Sequence, residues 1–323
     1  MNWESLRRLG KKNELIAVVL CLALVILLTL RGGVFWTGGN LNSLQASIAP
    51  TAIMAFGMML LLICGYFDLS IGSIMLLSGI LCGKFAMMGL PIPLIVLLVL
   101  LAGLAAGCIN GFLVSVLKIN ALIATIGTQY MGYGLAMTIW DQIRGFGKFS
   151  DSFIAIGEGR FLGLYYMTWI ALILLAVFSY FLKYTSAGRR LYFVGGNREA
   201  SKLIGFNDTR ILFMTYALTG LLASLAGILA VARIQSPSQY MGDGIHMTCM
   251  IACVVGGGSF AGGKGSAAGA VFGVAFMSLL TNMFNLLEMK AQLQNVIVGL
   301  VLVAVIVMDG YLNLKKMREM GKI

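Results

Sequence analysis

Charge is what this 323-residue chain has least of: Asp, Glu, Lys and Arg together make 11% of it. A soluble domain carries about 25%. So few charges cannot coat a water-facing surface, and 59% of the residues are hydrophobic with a mean hydropathy of +0.94. A soluble enzyme and a nucleic-acid binder are excluded, the net charge of +11 notwithstanding. Histidine occurs once, which argues against an embedded enzyme built on clustered His and Asp. The 4 prolines and the want of polar tracts leave no flexible linker and no soluble domain. None of the 6 cysteines, at 21, 64, 82, 108, 249 and 253, forms a CxxC pair, so they read as buried free thiols. Alternating hydrophobicity is also missing, which excludes a barrel.

What is present is continuous apolar sequence. A helix needs about 20 such residues to cross hydrocarbon. Ten runs are expected to do so, at roughly 15–35, 43–65, 69–88, 94–117, 121–140, 164–182, 210–232, 245–257, 266–287 and 293–311. The eighth is too short to cross alone; tilt, or the glycine-rich turn after it, would complete it. The 41 glycines suit closely packed membrane helices. The expected fold is all-α: a single polytopic membrane domain over residues 1–323.

Basic residues orient it. With the N-terminus in the cytoplasm, positions 7, 8, 11, 12, 118, 183, 189, 190, 198, 202, 210, 264, 315, 316, 318 and 322 fall inside. Positions 31, 84, 144, 148, 160, 233 and 290 fall outside, which accounts for all 23 Lys and Arg. Both termini are then cytoplasmic. The basic start (Arg7, Arg8, Lys11, Lys12) precedes LIAVVLCLALVILLTL with no small-residue cleavage site, so a retained first helix is expected. The largest cytoplasmic loop is 183–209 and the largest external one 141–163.

The cytoplasmic loop holds FVGGNREASKLIGF, residues 193–206. Gly195, Gly196 and Gly205 bound a short charged stretch. Asn197 is placed to cap a helix whose first turn holds Arg198, Glu199 and Ala200, followed by Ser201 and Lys202. Two readings stand: a solvated connector, or a rigid helix that docks a partner. Asp68, in GYFDLSIGS, is costly beside apolar helices unless it is solvated or hydrogen-bonded. It either caps the third helix, with Ser70 and Ser73 close by, or serves a gate or solute path. GSFAGGKG (258–265) resembles a phosphate loop but ends in Gly265, follows no strand and has no carboxylate partner, so it reads as a tight turn. His246, Cys249 and Cys253 share one helix face and cannot surround a metal from one side, so they read as packing. Asn110, Asn120, Thr125, Thr128 and Gln129, with Thr138 and Asn282, put amides and hydroxyls inside spans near Tyr130, Tyr133 and Trp140. They are candidates for a sugar path, with helix-to-helix bonding as the alternative for each.

TSAGRR (185–190) followed by GGNREASKLIG (195–205) resembles the coupling segment of permease subunits of ATP-binding-cassette sugar importers of the ribose, xylose and galactose type. GYFDLSIGS (65–73), LTGLLASLAGILAVARIQS (218–236), VVGGGSFAGGKGS (254–266) and a last apolar helix ending in Asp309 are similar to further blocks of that family, in the same order. GIHMTCMIAC (244–253) departs from the acidic, alanine-rich stretch many members carry there. The resemblance implies a bacterial inner-membrane subunit that works as a dimer with a second copy or a paralogue. Two cytoplasmic ATPases and an extracytoplasmic sugar-binding protein would complete it. ATP and Mg would bind the ATPases, with no cofactor, metal or catalytic residue on this chain and no nucleic-acid partner. Residues 195–205 would dock the ATPase. Arg144, Lys148 and Arg160 would meet the binding protein. The competing expectation is a gradient-driven secondary transporter or channel, which needs an intramembrane carboxylate or paired charges.

Overall fold

A computed structural model describes residues 3–143, 146 and 148–319, with side chains from Glu14 onward except at 312, 313 and 315–319. Arg144 therefore lies outside the described residues. The chain is helical nearly throughout. In order come α1 (Trp3–Leu30), a 3-10 turn (Gly33–Trp36), α2 (Gly38–Ile63), α3 (Ile71–Met87), and α4 (Ile92–Gly111) extended by a π-helical turn (Phe112–Val116). Then follow α5 (Ala121–Trp140), α6 (Asp151–Glu158), a two-stranded hairpin of β1 (Arg160–Phe161) and β2 (Leu164–Tyr165), α7 (Tyr166–Tyr184), α8 (Ser186–Gly196) and α9 (Arg198–Leu203). The chain ends with α10 (Asp208–Ile234), α11 (Ile245–Val255), α12 (Ala267–Leu286) and α13 (Ala291–Glu319).

Among the described residues, six helices are long and apolar enough to cross a membrane: Gly38–Ile63, Ile92–Val116, Tyr166–Tyr184, Asp208–Ile234, Ala267–Leu286 and Ala291–Tyr311. Glu14–Leu30, Ile71–Met87 and Ile245–Val255 are shorter apolar helices. α5 has the length but not the hydropathy, because Thr125, Thr128, Gln129, Thr138 and three glycines interrupt its apolar residues.

α2 and α10 form the centre, buried along most of their length, with α3, α4, α7 and α12 packed around them. Small residues set the spacing. α4 crosses α10 so tightly that a Cβ on Gly220 would fall 2.3 Å from the Gly103 carbonyl oxygen. α5 packs mainly on α3 and shows its other face, with Tyr130 at 75% exposure. Polar caps start the helices: Thr37, Asn120, Thr185, Asn207 and Ser266 each accept a hydrogen bond from a first-turn N–H.

Side-chain bonds tie the helix ends into two groups. At one end Lys84 meets Gln142 at 2.8 Å and Arg233 meets Glu158 at 2.9 Å. At the other Lys118 meets Thr209 at 2.9 Å and Ser259 meets Asp309 at 2.9 Å. The eighth apolar run forms an 11-residue helix. The glycine-rich turn after it does not lengthen it but folds over the end of α2, where Gly263 N–H donates to Ile63 O at 2.8 Å.

Candidate functional site

The charged loop is a built element. α8 ends at Gly196, and Asn197 Oδ1 accepts from Ala200 N at 3.0 Å to start α9, the position expected of a cap. α9 has an inner and an outer face. On the inner face Ser201, 1% exposed, donates to Asp208 Oδ1 at 2.8 Å, and Arg198 Nε pairs with Asp208 Oδ2 at 3.3 Å. The Arg198 guanidinium also donates to the Tyr66 hydroxyl. The outer face shows Glu199, Lys202, Leu203 and Ile204, with Leu203 90% exposed. Gly205 closes the helix at a left-handed φ of +85°.

α8 locks the same element onto the bundle. A Cβ on Gly195 would lie 1.8 Å from Ile63 O, while one on Gly196 would meet nothing within 4 Å. The contact glycine is thus Gly195. Tyr192 donates to Gly265 O at 2.8 Å, and Ser266 donates to Glu14. Burial, then the Glu14 charge, pushes the Tyr192 phenol up. Nearby, burial and then the charges of Arg198 and Lys202 pull the Lys118 ammonium down, opposed by Asp208.

One residue past Tyr66 the loop continues inward. Phe67 O accepts from Tyr216 at 2.8 Å. Asp68, fully buried, accepts from Ser70 N at 2.8 Å, Ser70 Oγ at 2.7 Å and Asn110 Nδ2 at 3.2–3.3 Å. Asn110 Oδ1 in turn accepts from Thr128 at 2.7 Å. The formal N-cap of α3 is Ser70, with no side-chain cap bond of its own. Asp68, two residues upstream, accepts from the N–H and hydroxyl of that N-cap residue and lies just before the positive end of α3.

Asp68, Ser70, Asn110 and Thr128 therefore come together. The other pathway candidates do not join them. Asn120 caps α5, Thr125 donates to Ala121 O at 2.7 Å within its own helix, and Gln129 is half-buried beside Thr128. Thr138 bonds Gly134 O, and Asn282 exchanges bonds with Asn40 across helices. Cys249 and Cys253 point their thiols at Thr51 O (3.7 Å) and Ala55 O (3.3 Å) of α2, so this face of α11 packs.

At the far end, Lys148 is exposed, while Arg160 donates to the Tyr165 hydroxyl at 2.7 Å and lies over its ring. Arg233 approaches the same ring from α10. Sequence reasoning passed over Tyr66 and Asp208, the anchors of α9, and Ile63, the anchor of α8. Asp208 looks like an ordinary first-turn acid of α10, and only its spacing from Ser201 and Arg198 around Gly205 hinted at a closed loop.

Residues 40–306 match the family described as the permease component of branched-chain amino acid transport systems. The chain belongs to this permease family. It is 33% identical to the ribose import permease protein RbsC of Haemophilus influenzae over 98% of both chains. It is also 33% identical to the Escherichia coli protein of that name over 93% of this chain and 94% of the other. The autoinducer 2 import system permease protein LsrC of Escherichia coli is 33% identical over 90% of this chain and 86% of its own. No solved structure matches.

Proposed function

We propose that the chain is the membrane-spanning permease subunit of an ATP-driven importer of a monosaccharide or a similarly small hydroxylated molecule. The family description names branched-chain amino acids, but the relatives matching end to end are named for ribose and autoinducer 2. The observation that carries the mechanism is the two-faced α9. Its inner face is tied to α10 through Asp208 and to the end of α2 through Tyr66, and its outer face leaves Leu203 almost wholly bare. An apolar side chain held out among Glu199 and Lys202 on a rigid base is a docking knob for a cytoplasmic ATPase.

Force applied at α9 would reach α10 directly. It would also reach α5 through the run Tyr66, Phe67 and Asp68, then Asn110 and Thr128. The open face of α5 carries Tyr130, Tyr133 and Thr138 among Leu122, Ile123, Met131 and Leu135, and it suits contact with a second permease copy beside the solute path. Ten spans with both termini in the cytoplasm fit the two groups of helix ends. Membrane lipid surrounds the rest. An extracytoplasmic sugar-binding protein would dock at the end carrying Lys148, with Arg160 committed to Tyr165. ATP and Mg belong to the ATPase pair, not to this chain.

Buried Asp68 is the observation that keeps a gradient-driven carrier as the alternative. Uptake of labelled ribose by the assembled transporter separates the two. With ATP present and the proton gradient collapsed by an uncoupler, uptake persists in an ATP-driven importer and stops in a proton-coupled carrier.

A further inference from the structure

α11 spans only 11 residues, about 16 Å. The chain before it covers the remaining depth without forming a helix. From Gln235 to Gly244 it descends beside α3, with Pro237 against Gly83, Met241 against Gly79 and the Gly242 carbonyl against Gly72. The height of that last contact follows from α10: Gly227 packs on Met75 and Ser78, and Gly72 lies a turn closer to the middle of the 27-residue α10. Irregular backbone thus reaches the middle of the bundle.

Hydrocarbon tolerates such backbone only where protein covers it or water fills a cavity. Among the described residues, protein covers one side alone. Met241 is turned inward, 7% exposed, whereas Tyr240 is 74% exposed and Asp243 is exposed beside it. Gly242 and Gly244, at φ +83° and +66°, make the turn that points Asp243 outward. An open carboxylate at that depth is costly against lipid and is stabilised by water. α5 crosses α3 with Gly132 on Ser73, next to Gly72, so its open face flanks the same height.

We infer that Tyr240 and Asp243 line the aqueous path at mid-membrane and contact the solute there. The ligand class is a neutral polyhydroxylated molecule. The two carboxylate oxygens of Asp243 accept from neighbouring hydroxyls, and the Tyr240 ring covers the apolar face of the sugar. The solute contact rests on the permease reading; the water-lined segment does not.

The test uses the assembled transporter in membrane vesicles, with Tyr240→Cys and Asp243→Cys made separately and the parent protein as baseline. A charged, membrane-impermeant methanethiosulfonate reports water access. Both cysteines should react at least about tenfold faster than Leu300→Cys, an exposed apolar position on α13. Reaction of neither above that control overturns the inference. Two variants guard against one failing to assemble. In the second arm, Asp243→Asn should raise the ribose concentration for half-maximal uptake about tenfold, the size of one charged hydrogen bond. Fast labelling with unchanged uptake in Asp243→Asn would remove the solute contact and leave the water path. Loss of ribose uptake on collapsing the proton gradient would instead remove the ATP-driven reading and leave the labelling result standing.

Discussion

Gly195 and Gly196 look alike in the sequence, yet the structure gives them different jobs. Gly195 lies against the Ile63 carbonyl, and Gly196 faces open space. Gly195→Ala forces apart α8 and the end of α2, a strain of about 1–3 kcal/mol, typical of overpacking. It should abolish coupled uptake and lower the melting temperature of the purified complex. Gly196→Ala should leave both close to the parent. Equal loss in the two variants would contradict the contact. Asn110 presents a similar case among polar side chains, because it satisfies Asp68 and Thr128 at once. Asn110→Ala takes from the buried Asp68 Oδ2 its donor, at about 1–3 kcal/mol. A double-mutant cycle of Asn110→Ala with Thr128→Val should show coupling well above 0.5 kcal/mol, as contacting residues do; additive losses would break the link to α5.

The elements divide into those legible in the sequence and those that were not. Long apolar runs mark their own helices, and Asn197 marks the start of α9 because a capping side chain acts locally. The glycine-bounded charged stretch was legible for the same reason. Its anchors were not, since Tyr66 lies 132 residues from Arg198 and only packing brings them together. The chain breaks before α3 and before α11 show the limit most clearly. Each is a short irregular segment carrying an aspartate. Asp68 turns inward onto Ser70 and Asn110, while Asp243 turns outward. Nothing within either segment settles that direction; the neighbouring helices do. At this scale the docking role of α9 predicts that Leu203→Asp lowers retention of the ATPase on the purified permease at least tenfold, with an unchanged melting temperature for the permease alone. Retention equal to the parent would mean that the exposed face of α9 carries no partner.

Across the whole molecule, the two-faced α9 lies at one end, a central pair of buried helices in the middle and a braced hairpin at the other end. α9 is joined to α10 and to the end of α2, so displacement at α9 has a rigid route inward. The far end, where Arg233 and Arg160 converge on Tyr165, holds α6, the hairpin and α10 together. The family match and the full-length relatives are those of import permeases. The measurement that tests the proposed docking role of α9 most directly is cysteine crosslinking in the assembled transporter, from Glu199→Cys on α9 and from Lys148→Cys at the far end. The account predicts that Glu199→Cys crosslinks to the ATPase in a nucleotide-dependent manner and that Lys148→Cys does not. An ATPase crosslink from residue 148, with none from residue 199, would contradict it.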